Sequence, residues 1–304
     1  MELKEVYNRW LFSRHILKKL DKYYKGSEHY EAKNIAERYL ISIVNNVEGA
    51  EYKMHKEFKE KNLKYYSDIF EEIFVDDFKL EILMGRVFKV GNYTMRVDER
   101  MDYLAKNYGV YKTAITYLKY ESILAGPQHW GIPWNVARHL YNHRFTNEGF
   151  ASPINSRLIE YEKGRYCSIF PESDPGSLGS FFEVDLLKHS GDWSINPPMI
   201  ESLIEIMVEK VLKCLNKKLG KAYFISMANW IDMPAYKKLK HSKYLKEMRV
   251  LYRDKYYYQT PDKEVIPAKF NSVYFVLADD QHYGFNSDFY RQLYRLWDIN
   301  TIKR

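Results

Sequence analysis

The stretch Trp193-Ser194-Ile195-Asn196-Pro197-Pro198-Met199 decides the fold class. A short apolar run stops at Asn-Pro-Pro, and from Met199 to Leu219 apolar residues recur at helical spacing. Strand, loop and amphipathic helix in that order make one unit of an α/β fold. Similar apolar runs flank it: 149–154, 166–170 and 180–184 before it, 222–227 and 273–277 after it. Strands alternating with helices predict a mostly parallel sheet covered by helices, in a domain over residues 126–304. Residues 1–125 read differently. Val6, Trp10, Leu11, Ile16, Leu17 and Leu20 mark a helix up to Gly26, and Ala32, Ile35, Ala36, Tyr39, Leu40 and Ile43 mark a second. A Lys- and Glu-rich helix over 53–74 and another over 101–125 are expected, with β-prone pieces between at 82–97 and turns at Gly85 and Gly91-Asn92. Pro133 opens a further helix to about His143. The prediction is an α-helical N-terminal domain followed by an α/β domain.

The bulk properties narrow the partners. The 304 residues carry a net charge of +7, which suits a polyanion such as RNA or DNA. Two cysteines, Cys167 and Cys214, form no CxxC pair and no Cys/His cluster, so neither a zinc site nor a disulfide framework is expected. No apolar stretch approaches a membrane span, and the N-terminus, with Glu2, Lys4 and Glu5, is unlike a signal peptide. An intracellular protein of cytoplasm or nucleus, without membrane or metal, is expected.

The chemistry sits in the Asn-Pro-Pro loop. In a doubly wound sheet, ligands bind at the carboxyl ends of the strands. There the Asn196 side-chain oxygen and the Asn196 carbonyl are both acceptors, and Pro197 and Pro198 have no N–H to compete. Two converging acceptors suit an exocyclic amine, which has two N–H donors. Holding both hydrogens turns the nitrogen lone pair toward an electrophile such as the sulfonium methyl of S-adenosylmethionine, so positioning does the catalysis. Asn-Pro-Pro also occurs as a plain turn, and the tetrapeptide alone leaves both readings open.

Two other features carry open readings. Lys237, Lys238, Lys240, Lys243, Lys246 and Arg249 form a basic run, with Tyr236, Tyr244 and Tyr256-Tyr257-Tyr258 interleaved or nearby. Cations beside aromatic rings suit single-stranded RNA; a solvated helix face explains the same lysines. His129 and Trp130 either wall a pocket or pack on the first strand. No GxSxG, no GxxxxGK and no metal-ligand spacing of histidines occurs.

An ordered series of motifs surrounds the loop: Gln128-His129-Trp130-Gly131-Ile132-Pro133, then Gly149-Phe150-Ala151-Ser152-Pro153-Ile154-Asn155, then Tyr166-Cys167-Ser168-Ile169-Phe170-Pro171-Glu172-Ser173-Asp174, then Gly179-Ser180-Phe181-Phe182 and Asn-Pro-Pro. Asn229-Trp230 and Asn271-Ser272-Val273 follow. The series resembles the phosphorylated-CTD-interacting factor family of cap-specific adenosine methyltransferases over roughly residues 125–280. The resemblance implies a Rossmann-like S-adenosylmethionine-dependent methyltransferase domain behind a helical domain. It implies N6-methylation of the first transcribed adenosine of capped mRNA, giving N6,2′-O-dimethyladenosine beside the 7-methylguanosine cap. The partner it implies is capped RNA beginning with adenosine. Mapped residue by residue, Asn196, Pro197, Pro198 and Met199 take the catalytic positions. Phe150, Ala151, Ser152, Pro153 and Asn155 stand in for a glycine-rich cofactor loop, with Glu172 or Asp174 at the ribose, although Ser152-Pro153 also reads as a helix cap and Asp174-Pro175-Gly176 as a turn. Gln128, His129, Trp230, Lys237, Lys238, Lys240, Lys243 and Arg249 fall to the substrate. The chain departs from the family in lacking a WW-like module and in having Met199 where the family has Phe. Methionine is polarizable and can lie against a base, but it lacks the flat ring. A non-catalytic capped-RNA-binding relative, and an adenine methyltransferase of DNA or internal RNA, therefore stay open.

Overall fold

The computed structural model describes residues 3–74, 80–83, 87–91, 93–96, 99–123, 130–170 and 174–302. Gly85 and Asn92, expected as turn residues, lie outside the described residues. The chain divides into two compact units, Met1–Gln128 and His129–Arg304.

The first unit carries α1 (Leu3–Tyr23), α2 (Gly26–Val44), α3 (Ala50–Glu60), an antiparallel meander of β1 (Leu80–Leu83), β2 (Val87–Val90) and β3 (Tyr93–Arg96), and then α4 (Glu99–Tyr108) and α5 (Val110–Glu121). The apolar stripes of α1 and α2 are buried as their spacing requires, Val6, Ile16, Leu20, Ile35 and Leu40 almost completely. Two expected helices are shorter than their patterns. In place of one helix over 53–74, α3 stops at Glu60, where Asn62 adopts φ +54° and the Leu63 N–H reaches back to the Phe58 carbonyl at 2.9 Å. That left-handed residue with its back-reaching hydrogen bond is a helix stop. In place of one helix over 101–125, Gly109 at φ +90° separates α4 from α5, a backbone that glycine alone adopts cheaply.

The second unit is built on a seven-stranded sheet. Its strands are β4 (Asn147–Gly149), β5 (Arg165–Ser168), β6 (Ser177–Ser180), β7 (Trp193–Ile195), β8 (Ala222–Ala228), β9 (Leu245–Leu251) and β12 (Ser272–Ala278), in the order β6-β5-β4-β7-β8-β12-β9. A small hairpin, β10 (Tyr257–Gln259) with β11 (Val265–Pro267), stands apart. β4 to β8 pair in parallel, and β12 runs antiparallel to both its neighbours. Counted along the chain, the order is third, second, first, fourth, fifth, seventh, sixth. It reverses direction between β4 and β7, as in a Rossmann-like sheet, and that reversal is the topological switch point. Trp193–Ile195 matches its expected run without a shift, β5, β8 and β12 lie within one or two residues of theirs, and β4 and β6 share only Gly149 and Ser180 with the runs expected over 149–154 and 180–184; no run was expected at β9.

Helices cover both faces. α7 (Glu201–Leu215) and α8 (Pro234–Lys240) pack on Trp193, Ile195, Tyr223, Ile225, Val273 and Phe275. α6 (Trp134–Asn142) and α9 (Ser287–Trp297) pack on Phe224, Tyr274 and Val276. β8 is buried along its whole length, the signature of a strand covered on both sides.

β4 ends at Gly149, paired with Ile195. A Cβ there would stand 2.9 and 3.0 Å from the Phe181 ring and 3.2 Å from Ile195 Cγ1. The glycine is required by this close packing. Gly149→Ala is therefore expected to cost about 1–3 kcal/mol through overpacking, read as a lower urea midpoint; an unchanged midpoint would mean that the Phe181 ring gives way freely. In the first unit, the Glu37 Oε1 is buried without a hydrogen-bond partner, and burial raises its carboxyl from 4.5 to about 7 against the pull of Lys33 and Arg38. Between those two values the native chain holds a proton that the unfolded chain gives up, so stability is full below 4.5 and falls as pH rises through 7. The melting temperature of the native protein should fall across that window, and Glu37→Gln should flatten the fall; an equal fall in the variant would clear Glu37.

Candidate functional site

Three segments leave the carboxyl ends of neighbouring parallel strands at the switch point: 150–155 after β4, 169–170 after β5 and 196–200 after β7. Backbone hydrogen bonds lace them together. The Asn196 N–H donates to the Gly149 carbonyl at 3.3 Å, and the Ala151 N–H donates to the Cys167 carbonyl at 2.9 Å. The Asn-Pro-Pro loop and the Phe150–Asn155 loop, 46 residues apart in sequence at Phe150 and Asn196, are thus adjacent in space.

Phe150 holds the turn out of β4 at φ +63°. A bulky aromatic in the left-handed region is strained, and the surroundings hold it there: its ring packs on Phe181 at 4.4 Å and on Phe182 at 5.3 Å. Lys210, from α7, fixes those phenylalanines by donating to the carbonyls of Phe181, Phe182 and Val184 at 2.7, 2.9 and 2.6 Å. Burial pushes the Lys210 pKa down. Beyond Phe150 the loop closes on itself. Asn155 Oδ1 accepts from the Ser152 N–H at 2.7 Å and from Ser152 Oγ at 3.0 Å, while the Asn155 N–H donates back to Ser152 Oγ at 3.0 Å. Ala151, Ser152 and Pro153 are buried and Asn155 is half-buried.

Glu148, just before Gly149, is buried and gathers the next turn. Its carboxylate accepts from Ser156 Oγ at 2.5 Å, from the Arg157 N–H at 3.0 Å and from the Leu158 N–H at 3.1 Å. Burial raises its pKa and these donors oppose the rise. Arg157, also buried, donates to the Ile132 carbonyl at 3.0 Å and the Gln259 carbonyl at 2.5 Å, with its guanidinium 4.5 Å from the Trp134 ring centroid. Neither residue was prominent in the sequence, because a lone Glu at a strand end carries no pattern.

Asn196 is half-buried, and its Oδ1 is wholly buried without a hydrogen-bond partner. A buried acceptor left unpaired is costly. Pro197 is buried; Pro198 and Met199 are half-buried, and the Ile200 N–H closes on the Pro198 carbonyl at 2.7 Å. α7 then begins at Glu201. Asn229, one residue beyond β8, repeats the arrangement: its Oδ1 is buried without a partner and its N–H donates to the Asn271 carbonyl at 3.0 Å. The sequence singled out Asn229 only as part of a motif. Its signal was the same as that of Asn196, an Asn at the end of an apolar run.

Asp174 is buried and opens a hydrogen-bonded turn, with the Ser177 N–H on its carbonyl at 3.0 Å and Gly176 at φ +76°. This is the plain turn that Asp-Pro-Gly suggests, and it sits between β5 and β6. Gln128, His129 and Glu172 lie outside the described residues. Trp130 packs on the α6–α9 face of the core. Trp230 follows Asn229 and is 41% exposed.

The basic run does not gather at the site. Lys237, Lys238 and Lys240 are exposed on α8, with Lys238 paired to Glu209 at 3.1 Å. Lys243 precedes β9 at the opposite end of the sheet, where the Tyr244 carbonyl meets the Ala278 N–H. Arg249 lies on β9, bound to Glu247 at 2.6 Å. The accompanying tyrosines are not offered to bases: Tyr236, Tyr244, Tyr256, Tyr257 and Tyr258 are all buried. Tyr256 and Tyr258 turn their hydroxyls onto Ser272 Oγ at 2.7 and 2.9 Å. Sequence neighbourhood misled here because the rings belong to the core. Among the described residues no group of His, Cys, Asp and Glu is placed to hold a metal ion, and no helix is long and apolar enough to cross a membrane.

The mRNA (2'-O-methyladenosine-N(6)-)-methyltransferase of Mus musculus is 33% identical over 109 residues, covering 34% of this chain and 14% of the mouse protein. The aligned part thus spans about one seventh of that relative's length. The family model described as "Phosphorylated CTD interacting factor 1 WW domain" matches residues 88–260, a span that takes in β4 to β9 and both asparagine loops. With more than half of its length matched, the chain belongs to the phosphorylated CTD interacting factor 1 family.

Proposed function

We propose that this chain transfers a methyl group from S-adenosylmethionine to the 6-amino group of an adenosine, and that the adenosine is the first transcribed nucleotide of a capped RNA. The observation that carries the reading is the buried, unpartnered Oδ1 of Asn196 at the switch point. An acceptor held out of water without a donor in the protein is suited to a donor on a ligand. The Asn196 carbonyl, joined to a proline nitrogen without hydrogen, offers a second acceptor beside it. An amine is the ligand group with two hydrogens to match. The cap-adjacent position rests on the name of the mouse relative, which acts on 2′-O-methyladenosine of mRNA.

The cofactor fits the same crevice by chemistry. The Phe150–Asn155 loop follows β4, so its backbone groups stand at a carboxyl end of the sheet, where a nucleoside binds in such folds. S-adenosylmethionine, when bound, supplies an electrophilic methyl on sulfur. The protein's part is to hold the amine. Asn196 takes its two N–H groups, Pro197 and Pro198 hold the loop rigid, and Met199 offers an apolar side chain to the face of the base. Lys210 and the ring of Phe150 keep the facing loop in place. A base stacked on methionine is held less firmly than one stacked on an aromatic ring, and this one substitution favours the second reading, a capped-RNA-binding relative without turnover.

The test uses labelled S-adenosylmethionine with short RNAs that begin in A or G, capped or uncapped. Transfer to capped A-start RNA alone is expected, with a loss of about a hundredfold or more in Asn196→Ala. Transfer to uncapped RNA or DNA would replace the cap-adjacent assignment with an internal or DNA adenine. Tight binding of capped RNA without transfer would sink the enzyme. Met199→Phe should restore a flat ring and lower the KM for RNA about fivefold or more with kcat little changed; an unchanged KM would show that the fourth loop position does not touch the base.

A further inference from the structure

Across the carboxyl edge of the sheet, past the Asn-Pro-Pro loop, exposed aromatic side chains succeed one another on consecutive strands. Trp230 follows β8, Phe270 precedes β12 and Tyr252 follows β9, with exposures of 41%, 39% and 60%. Because β12 is antiparallel, its start lies at the same edge as the ends of β8 and β9. The order along this edge is therefore Asn196, Trp230, Phe270, Tyr252, one per strand from β7 outward. Neighbouring strand ends stand roughly 5 Å apart. Most large apolar side chains of this unit are buried, so a row of three open rings is not incidental surface.

The loops bearing the rings are tied to each other. The Asn229 N–H donates to the Asn271 carbonyl at 3.0 Å, Asn271 Oδ1 accepts from the Arg253 N–H at 2.9 Å, and the Asp254 N–H reaches the Ala268 carbonyl at 2.9 Å. Arg253, Lys255 and Lys269 are exposed on the same loops. Asp232 and Asp254 are exposed there too, with Asp254 3.8 Å from Arg253, so the cations outnumber the carboxylates by one. At the head of the row Asn229 keeps a buried oxygen without a partner.

We propose that this edge is a track for single-stranded RNA, on which nucleotides beyond the target adenosine stack on Trp230, Phe270 and Tyr252 while Arg253, Lys255 and Lys269 meet their phosphates. Open rings with cations between them accept unpaired bases of any sequence. The Asn229 oxygen suits a ribose 2′-hydroxyl, the donor that marks RNA. The inference deepens the proposed function and rests on its RNA substrate. The sheet order gives the row its direction: a strand of RNA with its target base at Asn196 has its next nucleotides led toward Trp230.

The test measures fluorescence anisotropy of the full chain with an uncapped oligouridine of about twelve nucleotides, which contains neither target base nor cap. Tyr252→Ala and Phe270→Ala should each weaken binding about fivefold or more, with unchanged melting temperature in Tyr252→Ala, whose ring is the more exposed. Arg253→Ala with Lys269→Ala should reduce the salt dependence of binding. Lys246→Ala, at the other end of β9, should leave affinity as it was. Equal binding by the ring variants, equal loss in Lys246→Ala, or equal affinity for a duplex of the same length would overturn the track. Loss of methyl transfer with oligouridine binding intact and ring-dependent would sink the proposed enzyme and leave the track standing.

Discussion

The carboxylate of Glu148 is the constraint on which the site depends. It sits at the end of the first parallel strand, in the core, and takes up the Ser156 hydroxyl and the Arg157 and Leu158 N–H groups. The bond set folds the chain back immediately after Gly149, so residues 150–155 have to make their turn within a few residues. Phe150 takes the left-handed conformation that this short return demands, and Arg157 is placed against the Ile132 and Gln259 carbonyls. A glycine-rich loop solves the same geometric problem by having no side chains. This chain solves it with a strained phenylalanine packed on Phe181 and Phe182, and with Lys210 anchoring that pair from the helix that follows the Asn-Pro-Pro loop. The two facing loops are thereby mechanically coupled.

What was legible in the sequence follows from how each element is buried. β7 and β8 are covered on both faces, so Trp193–Ile195 and the run from Ala222 read directly as strands. β9 was not read at all. It is the edge strand, partly exposed along its length, and its Lys246, Glu247 and Arg249 break the apolar pattern. Charged edge strands resist pairing with other chains, and the same charges made this one look like part of a basic surface. The Tyr256–Tyr258 run failed in the opposite direction. Tyrosine has an apolar body and a polar tip, so sequence cannot say whether the ring faces solvent or core; here Ser272 receives two of the hydroxyls and settles it. Gly109 split a helix whose apolar spacing continued without a break on either side.

Of the candidate site, the Asn196 loop stood out in the sequence because three residue types and a strand-helix context coincide. The support beneath it was not. Glu148, Arg157 and Lys210 act through backbone carbonyls and N–H groups contributed by distant segments, and such partners leave no trace in local sequence. The exposed row of Trp230, Phe270 and Tyr252 was hidden for a related reason. Its members are separated by up to forty residues and become neighbours only through the antiparallel insertion of β12 between β8 and β9.

The polar groups at the two ends of the sheet are paired differently. At the amino end, Asp192 accepts from the Ala222 N–H and meets His282 at 3.2 Å, Asp279 accepts from the Gly220 and Lys221 N–H groups, and Lys221 Nζ donates to two carbonyls. Exceptions there are Asn147, with its amide nitrogen used twice and its oxygen not, and Tyr223, whose buried hydroxyl has no hydrogen-bond partner. At the carboxyl end, the side-chain oxygens of Asn196 and Asn229, at the ends of adjacent strands, are buried and unpaired. An asparagine oxygen buried without a partner in the protein costs stability until a donor from outside, water or ligand, reaches it. Strained Phe150, the two prolines and the Glu148 clasp hold this end of the sheet in a fixed arrangement.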